Sequence, residues 1–130
     1  MISVQHIAIN CRDLKKQEEF YKKHFGLKRV RTFNRGTPNE FIMLRLGGVC
    51  VELFQGDAKP SSSGGEQPVG FKHLAFGVSD ISEVLKSLHA SGVQTEDIVD
   101  CSSIFEGLSV CFFNDLEGNR IELIQGYKDE

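Results

Sequence analysis

An internal duplication constrains this chain more than any other feature. HIAIN at residues 6–10 and VELFQG at 51–56 reappear as HLAFG at 73–77 and IELIQG at 121–126. His73 follows His6 by 67 residues, and Glu122 follows Glu52 by 70. Two copies of one module cannot stack into a solenoid, so pairing two sheets into a single closed surface is the better solution. Such a duplication sets one histidine and one carboxylate from each half around a common centre.

A chain of 130 residues is long enough to bury one core unaided. Fifteen Lys and Arg against eighteen Asp and Glu give a net charge of -3, which offers no basic footprint for nucleic acid and no polybasic membrane anchor. MISVQHIAIN carries neither a cationic leader nor a signal-like apolar stretch, and no segment approaches the roughly 20 apolar residues of a membrane span. The expectation is a cytoplasmic protein. Cys11, Cys50, Cys101 and Cys111 are scattered without a C-x-x-C pair, as reduced structural thiols are.

Residues 2–10 alternate like a half-buried strand. Asp13 caps a helix that carries Leu14, Phe20, Tyr21 and Phe25 on one face and stops at Gly26. Strands follow at 27–33, 41–46 and 49–55, the last two joined by Gly47-Gly48 and preceded by a polar loop at 34–40. The Pro, Gly and Ser content of Asp57 to Gly70 marks a joint between modules. The pattern restarts at 71–78. Asp80 and Glu83 form a capping box for a helix with Ile81, Val84, Leu85 and Leu88 inward, and Gly92 ends it. Further strands are expected at 93–99, 108–113 and 120–125, with a turn at 117–119. The reading is a single domain over 1–130: module one over about 1–56, a linker over about 57–70 and module two over about 71–126.

Successive side chains on a strand point to opposite faces. Ile7 and Ile9 oppose His6, Ala8 and Asn10; Leu74, Phe76 and Val78 oppose His73, Ala75 and Gly77. Val51 and Leu53 oppose Glu52, just as Ile121 and Leu123 oppose Glu122. The aliphatic face suits cover by the helices, which leaves His6, Glu52, His73 and Glu122 on a cavity wall. Converging carboxylates repel, and their burial costs several kcal/mol per ion without a counter-charge. A divalent cation supplies that charge: with two neutral imidazoles and two carboxylates the sum is zero, and further coordination positions stay open. His24 and His89 fall in the last helical turns and read as dipole-capping cations. Cys50 shares the face of Glu52 on strict alternation, although a small buried hydrophobe is the commoner fate of a free cysteine.

HIAINCRDL, EFYKKHFGL, VELF, HLAFGVSDI and NDLEGNRIELI together resemble the vicinal oxygen chelate superfamily (glyoxalase, bleomycin resistance and dioxygenase proteins), most closely its glyoxalase I branch, over essentially the whole chain. The resemblance implies an α+β fold of two tandem βαβββ modules forming an eight-stranded, partly closed sheet around a metal. It also places His6, Glu52, His73 and Glu122 on the four ligand positions. The ion is Zn, Ni, Co, Mn or Fe, with Zn and Ni favoured. The implied activity is that of a lactoylglutathione lyase: conversion of the hemithioacetal of a 2-oxoaldehyde and a thiol to a 2-hydroxyacyl thioester. The metal stabilises negative charge while a carboxylate moves a proton between neighbouring carbons. Glu122 is the implied base, and Glu52 its pseudo-symmetric partner. A homodimer acting on a small molecule is expected, with the site either within one chain or across the dimer.

Glyoxalase I enzymes of the bacterial type commonly carry an arginine and an asparagine where this chain has Asn10 and Gly56. Asn10, Arg12, Arg35 and Arg120 are the polar candidates for substrate binding here, with Lys59 a further cation and Phe105 an apolar contact. The loops at 34–40 and 102–107 are candidate lids. The resemblance leaves other activities open. An epimerase acting on a coenzyme A thioester would use the same proton transfer. An extradiol dioxygenase or a thiol transferase normally uses three ligands, and a non-catalytic binder needs no metal.

Overall fold

The computed structural model describes residues 4–56, 71 and 73–129. Two compact units divide the chain, Met1–Ser62 and Ser63–Glu130. The joint expected at Asp57 to Gly70 and the first residues of the strand expected at 2–10 lie outside the described residues.

The first unit runs β1 (His6–Cys11), α1 (Leu14–Phe25), β2 (Lys28–Phe33), β3 (Phe41–Leu46) and β4 (Val49–Gln55). Its sheet has the order β1-β4-β3-β2, with β1 parallel to β4 and the other pairs antiparallel. A parallel pair needs a crossover connection, which α1 begins. Asp13 starts that helix by accepting a hydrogen bond from the Lys16 amide at 3.0 Å. Phe20 and Tyr21 are buried beneath it, together with Ile42, Leu44, Val51 and Leu53 of the sheet. Each such side chain gains roughly 1.5–3 kcal/mol from burial. A one-residue slip of β4 would carry Glu52 into this core, so the apolar face sets the register that exposes the carboxylate.

The face of α1 departs from the apolar reading, because Gln17 and Glu18 are buried while Leu14 and Phe25 are only half-buried. Glu18 is accommodated by Arg29 of β2, whose Nε and Nη2 donate to the carboxylate at 2.9 and 2.7 Å. His24 lies with Lys22 and Lys23 in the last turn of α1, but its surroundings disfavour the charge that a capping cation carries. Its ring packs on Phe20 with centroids 4.9 Å apart, and burial, followed by the charge of Lys23, lowers its pKa from 6.5.

The second unit repeats the plan with β5 (Leu74–Gly77), α2 (Ile81–Ala90), β6 (Val99–Asp100), β7 (Ser109–Asn114) and β8 (Arg120–Gln125), ordered β5-β8-β7-β6. Two four-stranded mixed sheets, one in each unit, with few helices make the fold α+β, as expected. Ile81, Leu85 and Leu88 of α2 are buried, as are Phe76, Val110, Phe113, Ile121 and Leu123. The Asp80 carboxylate accepts from the Glu83 amide at 3.4 Å, whereas the Glu83 carboxylate turns to Lys86 at 2.8 Å. Gly92 follows Ser91 at the helix end, with Gly92 N–H bonded to His89 O and Val93 N–H to Leu88 O.

The strand expected at 93–99 is mostly absent. Only Val99–Asp100 pairs with β7, beside an isolated bridge from Thr95 to Phe113. Polar side chains in this stretch are engaged elsewhere: the Thr95 hydroxyl meets the His89 ring at 2.8 Å, and Glu96 meets Arg120. All four cysteines are free thiols, with Cys11, Cys50 and Cys111 buried. Burial pushes the Cys111 thiol pKa up.

Candidate functional site

Each unit brings one histidine to one glutamate on the sheet face opposite its aliphatic core. Ala8 lies opposite Glu52 in the β1/β4 register, and Ala75 lies opposite Glu122 in β5/β8. The small alanine leaves room for the histidine two residues earlier to reach diagonally across. His6 Nε2 stands 3.3 Å from Glu52 Oε2, and His73 Nε2 stands 2.7 Å from Glu122 Oε2. The glutamate side chains are only 12% and 13% exposed, too covered for ordinary surface carboxylates. Among the described residues, no group of three or more His, Cys, Asp and Glu gathers at one point. Each unit offers one His–Glu pair, a half-set of the four candidate donors.

The donors of the first half-set suit a divalent cation. Gln5 Oε1 contacts His6 Nδ1, and an amide oxygen only accepts, so the contact is a hydrogen bond in the tautomer that carries its proton on Nδ1. That bond turns Nε2 toward the Glu52 carboxylate, and two facing acceptors are satisfied by a cation, whether a proton or a metal. Ligands about 2.0–2.2 Å from an ion, at angles between 90° and tetrahedral, stand about 2.9–3.5 Å apart. The separation of 3.3 Å falls in that interval. At 2.7 Å, the His73–Glu122 contact has hydrogen-bond length and would open by a few tenths of an ångström around an ion.

Of the candidate arginines, Arg120 lies on the strand face of a half-set. It precedes Glu122 by two residues on the same strand face, stacks over Phe112 at 4.6 Å and pairs with Glu96, which lowers the Glu96 pKa through their hydrogen bond. Phe112 lies opposite Glu122 in register and meets the His73 ring edge-on at 5.5 Å. Asn10 is exposed on the His6 face beside Gly56. Arg12 and Arg35 are exposed, the latter in the loop between β2 and β3. Phe105 packs on Tyr127, 5.7 Å between ring centroids. The two candidate lids are bonded turns: Gly36 N–H donates to the Glu40 carboxylate at 2.7 Å, and Leu108 N–H to Phe105 O at 3.0 Å. Cys50, fully buried, takes the hydrophobic role.

Sequence reasoning missed Gln5, Phe112 and a stack of Phe33, Phe41 and Phe54 on the face of Glu52. Alternation alone places Phe54 on that face; the others need the strand register.

Residues 3–123 match the model of the Glyoxalase/Bleomycin resistance protein/Dioxygenase superfamily. The chain belongs to that superfamily. A solved glyoxalase family protein from Enterococcus faecalis is 32% identical, covering 95% of this chain and 97% of that one, with a TM-score of 0.75. Two more distant structures share the fold. One is the fosfomycin resistance protein FosX from Listeria monocytogenes, complexed with Mn(II) and sulfate (19% identity, 98% and 95% coverage, TM-score 0.73). The other is lactoylglutathione lyase from Agrobacterium tumefaciens (21% identity, 95% and 93% coverage, TM-score 0.67).

Proposed function

We propose that the protein is a divalent-metal-dependent lyase or isomerase of the glyoxalase I type, turning the hemithioacetal of a 2-oxoaldehyde and a thiol into a 2-hydroxyacyl thioester. The observation that carries this reading is the pair of His–Glu half-sets, His6 with Glu52 and His73 with Glu122, at equivalent positions of a duplicated module. Family membership supports it, as do a lyase neighbour and a neighbour that holds a divalent ion.

The four side chains would hold one ion, within one chain or across a homodimer, and residues 1–130 would act as one functional domain on a small molecule. When bound, the ion would supply Lewis-acid stabilisation of charge developing on substrate oxygen. Glu122 is the proposed base. Its carboxylate is largely withdrawn from water and held by His73, so it has a fixed direction in which to take a proton from one carbon and return it to the next. Phe112, against both His73 and Arg120, limits how far the imidazole can swing. Arg120 would hold a substrate anion in exchange for Glu96. Proton transfer on a coenzyme A thioester is the second reading, favoured by Asn10 and Gly56 at the two positions where bacterial-type enzymes hold glutathione.

The test is metal content of the purified protein, then turnover of methylglyoxal with glutathione after loading with Ni²⁺ or Zn²⁺, beside Glu122→Gln. Stoichiometric metal with turnover lost by at least about 100-fold in the variant supports the reading, the range in which a positioned base acts. Metal without turnover moves the substrate to other thiols or to coenzyme A thioesters. Failure to bind metal under any loading condition overturns the proposal.

A further inference from the structure

Three phenylalanines form a continuous stack across the first unit, on the face that carries Glu52. Phe33 and Phe41 lie 4.6 Å apart with planes 7° from parallel; Phe41 and Phe54 lie 4.3 Å apart at 17°. Cross-strand register explains the row, since Phe33 faces Phe41 in β2/β3 and Phe41 faces Phe54 in β3/β4. The next position in the same row, on the edge strand β1, is Asn10. The stack spaces its rings near the strand separation of about 4.8 Å, so β1 supplies a fourth place without a fourth ring.

The two ends of the stack differ. Arg31 closes the outer end, its guanidinium 5.5 Å from the Phe33 ring centre. Among the described residues, no ring or guanidinium lies on the outer face of Phe54. Asn10 is exposed and lies beside Gly56: a Cβ built on Gly56 would stand 3.3, 3.7 and 3.8 Å from Asn10 Cβ, Cγ and Oδ1. Ala8 and Asn10 on β1 carry no ring, so the place beside Phe54 on that strand suits something flat. One row along the strands, about 6.5 Å away, is Glu52, met diagonally by the His6 ring from the row beyond. The equivalent row of the second unit, Gly77, Ile124, Val110 and Val99, has no ring at all.

We infer that the open end of this stack seats an aromatic ring of the substrate, so that the substrate class is an aryl-bearing molecule whose adjacent oxygen pair reaches the His6–Glu52 donors. The seat rests on the metal reading above and adds the identity of the non-reacting arm. An uncharged ring needs no cation at position 10.

The experiment uses two hydroxamates with the same chelating oxygens, benzohydroxamate and acetohydroxamate, titrated calorimetrically into the Ni²⁺-loaded full chain, with affinities referred to free Ni²⁺ in the same buffer. Proton NMR of the benzohydroxamate ring provides a second readout. The seat predicts that benzohydroxamate binds at least about fivefold tighter than acetohydroxamate, as a stacked pair of rings contributes. Its ring protons should shift upfield, and the preference should fall to about twofold or less in Phe54→Leu. Phe33→Leu at the closed end should leave the preference unchanged. Equal affinities, or a preference that survives Phe54→Leu, would overturn the seat while leaving the metal centre standing. Binding of neither ligand would overturn the metal reading and the seat with it.

Discussion

Gly126 and Gly118 allow the position of the Ser102–Gly107 loop to be measured in free energy. Both have nearly the same backbone, with φ of 85° and 84°. Their surroundings differ: a Cβ on Gly118 meets nothing within 4 Å, whereas one on Gly126 would fall 2.2 Å from Gly107 O and 3.0 Å from Gly107 C. Alanine at either position bears the left-handed backbone cost of about 1–2 kcal/mol. At Gly126 the loop must also withdraw by about 1 Å, because a Cβ does not approach a carbonyl oxygen inside about 3 Å. Withdrawal strains the bonds Cys101 N–H to Leu108 O (2.8 Å) and Leu108 N–H to Phe105 O (3.0 Å), each worth about 1 kcal/mol, and loosens the buried Leu108. Gly118→Ala should therefore cost about 1–2 kcal/mol and Gly126→Ala about 3–4. Urea unfolding followed by far-UV circular dichroism gives both values, and the difference between them, about 2 kcal/mol, isolates the contact. Equal losses within 0.5 kcal/mol (about the usual error of such comparisons) would refute the reasoning. They would show that the loop moves away freely, as a lid does, and is not pinned to the end of β8 four residues past Glu122.

Three further outcomes follow from the same geometry. Arg29→Met leaves the Glu18 carboxylate buried with Lys22 at 3.8 Å; since Arg29 is itself 43% exposed, the loss should be about 2 kcal/mol in urea unfolding, below the full cost of a stranded buried charge, and Glu18→Met in the same chain should restore most of it. His24 has a folded-state pKa below 6.5, so the unfolded chain binds its proton more readily; the stability it contributes is complete above pH 6.5 and is lost as pH falls through the folded value, and His24→Gln should flatten the fall in urea midpoint between neutral and mildly acidic buffer. Cys101 alone among the four thiols is not buried, so an aromatic disulfide reagent should modify one thiol quickly in the native protein, a phase that Cys101→Ser removes.

Where a residue's neighbours in sequence decide its structure, the elements were legible. Asp13 and Asp80 announce their helices because an N-cap acts within three residues, and Phe41–Leu46, Val49–Gln55 and Arg120–Gln125 alternate against one apolar face. The 93–99 segment defeated the same reasoning. Val93, Thr95 and Val99 have β-branched side chains, but hydrogen bonds at Thr95 and Glu96 run to a helix end and to another strand, and no local pattern reveals such partners. The buried Glu18 is a second example. Its position on α1 looks solvent-facing until Arg29, brought back by β2, supplies the counter-charge.

The half-sets were legible for a different reason, because duplication repeats the environment of a residue as well as its identity. An alanine opposite each glutamate and a histidine two residues before that alanine recur in both halves. The rows around them do not recur. Met43 faces Glu52 where Phe112 faces Glu122; Phe54 and Asn10 stand where the second unit has Ile124 and Gly77; Cys50 precedes Glu52 by two residues where Arg120 precedes Glu122. Under the proposed function, a shared donor set with unlike neighbours would give the two glutamates different work. Glu122 sits beside an arginine and a ring that meets its histidine, a setting that would steer charge and direction. Glu52 sits one row from the aromatic stack, a setting that would recognise shape. If the base were instead Glu52, Glu122→Gln would lose less activity than Glu52→Gln in the same metal-loaded protein, which makes the relative loss in the two variants the measure of how far the halves have divided the task.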